Sequence, residues 1–153
     1  MQPPVFLKRT TTNDTDFLLL VAELDFELWN ELAEDQATYE QFNKVPAIVT
    51  AVVLYEAEVP AACGCFKEID AETVEVKRMF VRKPFRGKGH SKTILQELEK
   101  WAISLGYRIA LLETSIHFAI AKSLYQRMGY ALIPNYPPYT DLPESVCMKK
   151  ELK

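Results

Sequence analysis

The spacing of apolar residues predicts helices near the start of the chain. Five apolar side chains fall on one face of a helix: Phe17, Leu20, Val21, Leu24 and Leu28. Asn13 or Asp14 stands just before this face, and either side chain can accept hydrogen bonds from the free N–H groups of a first helical turn. Residues 5–9 precede them as a short edge strand, and Asp35 is expected to cap a second short helix.

Strand-forming runs dominate the middle of the chain. Residues 47–55 and 59–66 are apolar and favour extended structure, and the charged turn at residues 56–58 separates them, so the pattern predicts an antiparallel hairpin. Four more strands are predicted at residues 73–81, 108–112, 130–133 and 145–152. The last two enclose a proline-rich loop.

Two amphipathic helices are predicted between these strands. The first carries five apolar residues on one face: Ile94, Leu98, Trp101, Ala102 and Leu105. Gly106 follows this face as a C-terminal stop. The second helix is shorter, and three apolar residues mark it before Gly129 ends it: Ile120, Leu124 and Met128.

This order of elements predicts a mixed sheet with helices on its faces. The expected class is α/β (α+β), with about six or seven strands and about four helices. The chain has 153 residues, of which 48% are hydrophobic, so it can bury one core. We therefore expect a single domain over residues 1–153.

The charge and the start of the chain exclude several kinds of partner. The net charge is −3, whereas a general nucleic-acid binder is normally basic, so no nucleic-acid partner is expected. No segment approaches the ~20 apolar residues that a membrane span requires. The first four residues, Met-Gln-Pro-Pro, lack the features of a signal peptide. We expect a cytoplasmic protein with no membrane partner.

The chain has three cysteines, Cys63, Cys65 and Cys147. A Cys-x-Cys pair with one remote cysteine does not match a metal-ligand spacing. We expect buried thiols in strands, in a reducing compartment, and no bound metal.

The segment between the third strand and the next helix is the one that points to chemistry. Gly87 and Gly89 let the backbone approach a ligand closely, and the helix that follows opens with unpaired N–H groups and a positive dipole end. Five positive side chains surround this turn: Arg82, Lys83, Arg86, Lys88 and Lys92. Such a turn is typical of a phosphate-binding site.

Two familiar phosphate motifs do not fit this turn. A dinucleotide-binding Gly-x-Gly-x-x-Gly requires a glycine where Lys92 stands. A P-loop ending in Lys92-Thr93 requires glycines at the positions of Ser91 and Arg86. A surface turn with solvated charges is the remaining alternative from the residues alone.

The chain resembles the GNAT family of N-acetyltransferases. Four linked pieces carry the resemblance: Val74-Glu75-Val76-Lys77-Arg78-Met79-Phe80-Val81, Arg86-Gly87-Lys88-Gly89, Leu112-Glu113-Thr114, and Ala121-x-x-Leu124-Tyr125-x-x-x-Gly129-Tyr130. The resemblance covers roughly residues 47–152 clearly and the first helices loosely. One position departs from the family pattern: Pro84 stands where Gln or Arg usually opens the turn, and proline has no N–H to offer a phosphate.

The resemblance implies an enzyme that uses acetyl-coenzyme A and no metal. It implies that the acetyl group moves to a primary amine by direct attack in a ternary complex. Six residues would hold the pyrophosphate, chiefly through backbone N–H groups: Arg86, Gly87, Lys88, Gly89, His90 and Ser91. Three strand residues would pair with the pantetheine arm: Met79, Phe80 and Val81. That pairing requires the strand to diverge from its neighbour near residues 111–113.

The resemblance also suggests the two groups that move protons. Tyr125 matches the tyrosine that often protonates the leaving thiolate, although a packed helix aromatic would look the same in sequence. Glu75 matches a strand glutamate that serves some members as general base, because an amine with a pKa of ~10.4 must lose a proton before it attacks. The alternative for Glu75 is a surface charge paired with Lys77 or Arg78.

The resemblance and the residues offer roles for several other positions near this chemistry. Glu113 is a second candidate base or a structural acid, and His117 is expected to make a structural hydrogen bond. Seven residues are expected to border the acceptor cleft: Trp29, Tyr39, Phe42, Tyr136, Pro137, Pro138 and Tyr139. The acceptor, a small-molecule or peptide amine, is not named by the sequence. A catalytically silent coenzyme A-binding module, another acyl group and a homodimer stay open.

Overall fold

The computed structural model describes residues 3–31 and 49–153. Within them lie seven strands: β1 (Val5–Thr11), β2 (Thr50–Glu56), β3 (Val59–Asp70), β4 (Thr73–Val81), β5 (Ile109–Ser115), β6 (Ala131–Ile133) and β7 (Ser145–Glu151). The same residues contain three α-helices: α1 (Thr15–Glu31), α2 (His90–Ser104) and α3 (Ala119–Arg127). The predicted order of elements is confirmed, and the helix expected at Asp35 lies outside the described residues.

The strands form a mixed seven-stranded sheet in the order β1-β2-β3-β4-β5-β7-β6. β4 and β5 run parallel, whereas β1 with β2, β2 with β3, and β7 with both β5 and β6 run antiparallel. The predicted fold class is therefore confirmed. The sequence does not indicate that β7 inserts between β5 and β6.

The predicted hairpin is confirmed by the register of β2 and β3, in which Glu56 lies opposite Val59. Ala57 and Glu58 form the two-residue connection, with φ angles of 50° and 69°. Two consecutive left-handed residues match the twist of the flanking strands, which is why such turns close tight hairpins.

The chain divides into two compact units: Met1–Lys67 with Lys77–Leu98, and Glu68–Val76 with Glu99–Lys153. The single domain expected over residues 1–153 stays a prediction. No helix in the described residues is both long enough and apolar enough to cross a membrane.

In the first unit, α1 packs on the sheet through Phe17 and Leu20, which are buried as predicted. Val21 and Leu24 lie half-buried against the same cluster. The helix begins where Asp14 accepts hydrogen bonds from the N–H groups of Asp16 (2.9 Å) and Phe17 (3.1 Å). Of the two predicted caps, Asp14 is thus the one that satisfies the first turn.

In the second unit, two predicted apolar positions are wrong. Leu105 is 55% exposed because α2 ends at Ser104, one residue earlier. Ile120 is 87% exposed because the buried face of α3 is centred on Tyr125. Ile120 and Tyr125 are five residues apart and so lie about 140° apart around the helix. They therefore cannot both face the same core.

The expectation of buried thiols in strands agrees with the structure, since Cys63, Cys65 and Cys147 are all buried and none of them forms a disulfide. Among the described residues, no group of three or more His, Cys, Asp or Glu side chains is arranged to hold a metal ion.

Candidate active site

The glycine turn (residues 86–91) joins β4 to α2 in the first unit. It follows a single 3-10 turn at Lys83–Phe85. Gly87 and Gly89 have φ angles of 80° and 79°, which side-chain-bearing residues adopt only with strain. A Cβ atom at either position would meet no described atom within 4 Å. The glycines are therefore required by backbone conformation, and the space beside them is open.

Helix α2 presents its free N–H groups at this turn. Thr93 is the residue whose N–H donates to the Gly89 carbonyl, at 3.1 Å. The N–H groups of His90 and Ser91 thus lie ahead of the first intrahelical bond and have no helical acceptor. α2 has 15 residues and no acidic residue in its first turn, so the positive end of its dipole is uncompensated there. This geometry fits an anionic ligand.

Most of the positive charge around the turn is already neutralised. Three of the five cations are paired with carboxylates: Arg82 with Glu23 at 2.9 Å, Arg86 with Glu27 at 2.8 Å, and Lys88 with Glu56 at 2.8 Å. Lys83 and Lys92 have no ion-pair partner within residues 3–31 and 49–153. The five predicted cations thus carry less net positive charge at the turn than the sequence suggests, because their carboxylate partners are remote in sequence.

Arg86 holds the turn with its side chain. Its Nε donates to the Val81 carbonyl at 2.7 Å, and its backbone N–H donates to the Lys83 carbonyl at 3.3 Å. Arg86 was predicted to offer its N–H to the pyrophosphate, but that group is already engaged within the turn. The N–H groups from Gly87 to Ser91 remain the better candidates.

His90 contributes an unsatisfied polar atom to the glycine turn. The side chain is 7% exposed, and among the described residues no partner accepts from or donates to its Nε2. Glu56 lies 3.8 Å away, buried, and is engaged by Lys88. A buried polar atom without a partner is costly. The free N–H groups at the start of α2 fit a phosphate group.

The second half of β4 carries the predicted pantetheine contacts. Parallel pairing with β5 runs from Thr73 opposite Ile109 to Val76 opposite Leu112, so residues 77–81 lie beyond the paired register. Arg78 has a φ of 59° and interrupts the extended backbone. Phe80 is buried in the core, which leaves its backbone rather than its side chain to meet a ligand.

The second unit holds the acid–base candidates. Glu75 is 3% exposed, and Tyr136 Oη donates to its Oε2 at 2.6 Å. Tyr139 is hydrogen-bonded to the same carboxylate. Glu75 is therefore a buried acid held by phenols, and its interpretation as a surface charge is wrong.

Tyr125 is buried on α3 and packs edge-on against Tyr130, with ring centroids 6.1 Å apart. Burial, with a smaller effect from Glu113, raises the pKa of Tyr125 to about 12, so the side chain is a phenol at physiological pH. Its hydroxyl makes no hydrogen bond with a described residue.

Glu113 accepts a hydrogen bond from Ser145 Oγ at 2.6 Å and lies opposite Cys147 in the register of β5 and β7. Burial raises the pKa of the Cys147 thiol above its usual value. His117 lies in the loop before α3, with its Nε2 3.4 Å from Glu144.

Of the residues expected to border an acceptor cleft, Tyr136 and Tyr139 meet at Glu75, as described above. Trp29 is 41% exposed on α1 in the first unit. Tyr39 and Phe42 lie outside the described residues. The contact of Tyr136 with Glu75 was not predicted, because 61 residues separate the two and no pattern links them.

Comparison with known proteins places the chain among acetyltransferases. Residues 16–130 match the model of the acetyltransferase (GNAT) family. IAA acetyltransferase of Azospirillum brasilense is 37% identical over 153 residues, covering 98% of this chain and 99% of that protein. A Klebsiella pneumoniae structure assigned as an acyl-CoA N-acyltransferase superposes with a TM-score of 0.80 at 26% identity, covering 97% and 98% of the two chains. An acetyl-CoA-bound GNAT structure from Elizabethkingia anophelis has a TM-score of 0.69 at 15% identity, covering 97% and 98%.

Proposed function

Because the chain belongs to the GNAT family and is an acetyl-coenzyme A-dependent N-acetyltransferase, we propose that it acetylates a primary amine by direct attack, without an acetyl-enzyme intermediate. The observation that supports this proposal is the Tyr125 side chain, a phenol at physiological pH whose hydroxyl makes no hydrogen bond with a described residue. Acetyl-coenzyme A supplies the activated acetyl group as a thioester.

We assign the pyrophosphate of the cosubstrate to the glycine turn. The N–H groups of Gly87, Lys88, Gly89, His90 and Ser91 are the proposed donors, and His90 Nε2 offers a further polar contact. Met79, Phe80 and Val81 are proposed to contact the pantetheine arm through their backbone.

Glu75 is the proposed proton acceptor. A primary amine with a pKa of ~10.4 is cationic near neutral pH and must become neutral before its lone pair can form the new C–N bond. Glu75 receives that proton and passes it to solvent. Glu113 is the second candidate for this role.

Tyr125 is the proposed donor to the leaving group. As the carbon–sulfur bond breaks, the sulfur takes the electron pair and becomes a thiolate, which Tyr125 can protonate or hydrogen-bond. A thiol with an ordinary pKa of ~8.5 is a stronger acid than a phenol with a pKa of about 12. Tyr125 therefore contributes mainly by donating a hydrogen bond to the developing charge, and full transfer is completed through solvent.

The cysteines do not favour a covalent route. Burial raises the pKa of Cys63 and of Cys147, which disfavours the thiolate that would have to attack. A variant with all three cysteines replaced by alanine is expected to keep turnover. A complete loss of turnover in a folded triple variant would contradict direct transfer.

The first experiment is a calorimetric titration with acetyl-coenzyme A at two salt concentrations. Micromolar binding that weakens as salt rises supports a phosphate site at the glycine turn. A panel of primary amines is then screened by mass spectrometry for acetylated product. IAA is added to the panel because the relative from Azospirillum brasilense is named IAA acetyltransferase. Product formation supports the enzyme, whereas binding without any product supports a silent coenzyme A-binding module.

Several finer features stay predictions within this proposal. The acceptor is a small-molecule or peptide amine, and acetyl is the preferred acyl group over longer chains. The location is cytoplasmic, no nucleic acid or membrane takes part, and a homodimer is left open. Replacing acetyl-coenzyme A with longer acyl thioesters in the same screen tests the acyl preference.

A further inference from the structure

We propose that Asp25 is a positioning residue that holds Arg78 in its left-handed conformation and thereby sets the direction of the backbone at residues 79–81. This inference rests on the proposed function of those residues, which is to contact the pantetheine arm of acetyl-coenzyme A. It gives α1 a role in binding the cosubstrate in addition to its packing on the sheet.

The backbone at Arg78 is unusual for a residue inside a strand. β4 covers Thr73–Val81, yet Arg78 has a φ of 59°. A side-chain-bearing residue is strained in this region because its Cβ lies too close to the following carbonyl oxygen. Such a conformation persists only where the surrounding structure holds it in place. Contacts from outside the strand must therefore hold Arg78.

The side chain of Arg78 makes one such contact. It is only 7% exposed, and its Nη2 donates to Asp25 Oδ1 at 2.5 Å. Within residues 3–31 and 49–153, Asp25 is the only side chain that pairs with this guanidinium. A buried charge that loses its partner is strongly destabilised, so the ion pair fixes where the guanidinium lies. Asp25 thus keeps the Arg78 side chain directed toward α1.

The neighbouring contacts turn this ion pair into a constraint on the backbone. α1 is itself fixed on the sheet by the buried Phe17 and Leu20. On β3, the Cys63 thiol lies 3.5 Å from the Arg78 carbonyl and can donate to it. That carbonyl and the N–H of Met79 belong to one planar peptide group. If Arg78 relaxed to an extended conformation, this group would rotate, and the backbone that follows would turn with it.

A second ion pair from the same helix provides a matched control. Glu23 of α1 pairs with Arg82 at 2.9 Å. Arg82 has a φ of −63°, which is an ordinary backbone conformation, and its Nη1 also donates to the Pro60 carbonyl at 3.2 Å. Loss of Glu23 therefore removes an ion pair without releasing backbone strain, whereas loss of Asp25 does both.

The test compares two substitutions at Arg78 that differ by one methyl group. Both remove the guanidinium, but alanine keeps a Cβ and its strain, whereas glycine adopts a φ near 59° freely. By calorimetry, we expect the Kd for acetyl-coenzyme A to rise roughly tenfold in Arg78→Ala and in Asp25→Ala, which corresponds to the release of one strained residue. It should stay within about threefold of wild type in Arg78→Gly, and Glu23→Ala should not weaken binding.

A double variant separates positioning from a merely structural role of Asp25. Once Arg78→Gly has removed the strain, adding Asp25→Ala should cause no further loss of affinity. Equal losses in Arg78→Ala and Arg78→Gly would overturn the inference. So would an effect of Asp25→Ala that is as large beside Arg78→Gly as it is in wild type. Should Asp25→Ala not fold, the comparison of the two Arg78 variants still decides.

The nucleotide half of coenzyme A, which lacks the pantetheine arm, distinguishes this inference from the proposed function. Its affinity should be the same in wild type and in every variant, because the glycine turn is unchanged. If neither acetyl-coenzyme A nor the nucleotide half binds wild type, the proposed function itself is wrong. If both bind, and Asp25→Ala weakens neither or weakens both equally, only the positioning role of Asp25 is wrong.

Discussion

The glycine turn and the Glu75 cluster are built in opposite ways. The glycine turn is contiguous in sequence and offers mainly backbone groups, which two glycines and the start of α2 put in place. The Glu75 cluster (Glu75, Glu113, Tyr136, Tyr139 and Cys147) gathers side chains from β4, β5, β7 and the tyrosine loop, which is the loop between β6 and β7 (residues 134–144). A site made of local backbone can be predicted from a short stretch of sequence, whereas a site made of distant side chains depends on the whole sheet.

The largest effect is expected in the second unit, at Tyr125. Tyr125→Phe removes one hydroxyl and leaves the ring packing, so kcat should fall by about a hundredfold, as is usual for loss of a proton donor. Affinity for acetyl-coenzyme A should stay within twofold by calorimetry. Tyr107→Phe, which removes an exposed hydroxyl, is the control. An unchanged kcat in Tyr125→Phe would show that a side chain outside our assignment assists the leaving group.

A substitution that alters the backbone conformation of the glycine turn should weaken the binding of acetyl-coenzyme A in the first unit. Gly89→Ala forces a φ of 79° on a residue with a Cβ, and relaxation of that strain would turn the N–H groups away from a phosphate. We expect affinity for acetyl-coenzyme A to fall roughly thirtyfold, which is the loss of one or two hydrogen bonds to a charged group.

Gly106→Ala is a matched control for this variant. Gly106 has a φ of 94°, and a Cβ there would also meet no described atom within 4 Å. Both variants should lose similar stability in thermal melts, but only Gly89→Ala should lose binding. Equal loss of binding in the two variants would mean that general strain, and not the glycine turn, explains the effect.

The smallest effect concerns alkaline stability. The folded pKa of Tyr125 is about 12, above an unfolded value of ~10, so the folded state holds this proton more tightly. Stability from this group is complete below pH ~10 and is lost as pH rises toward 12. By pH 11 wild type should lose about 1 kcal/mol more than Tyr125→Phe, measured by urea unfolding at each pH. Parallel pH curves for the two proteins would contradict the raised pKa.

These contrasts also explain what sequence could predict. Phe17, Leu20 and the cap at Asp14 were found because helix faces and caps are local patterns. Ile120 was misplaced because a nine-residue helix gives too few turns to define its buried side. Charge around the glycine turn was overestimated because Glu27 is 59 residues from Arg86 and Glu56 is 32 residues from Lys88. No residue spacing encodes such pairings.

For the acid–base candidates, the family resemblance identified Glu75 and Tyr125 but not the residues around them. Family motifs name positions, whereas the burial of Glu75 and its phenol donors depend on how the tyrosine loop folds. The motif Tyr-Pro-Pro-Tyr was expected to border the acceptor cleft, with stiff packing as the alternative. Its contact with Glu75 is seen only in the structure, where residues 73–76 of β4 and the loop lie in the same unit.

The paired arginines beside the glycine turn have a consequence for competition in the cell. Because Glu23 and Glu27 already compensate Arg82 and Arg86, the turn attracts anions mainly through fixed N–H groups of defined direction. Free phosphate and nucleoside triphosphates gain less from the paired Arg82 and Arg86 than they would from unpaired arginines at the same positions. Selectivity depends on the difference between the affinity for acetyl-coenzyme A and the affinity for competing anions. We therefore expect the enzyme to bind its cosubstrate even where competing polyanions are abundant.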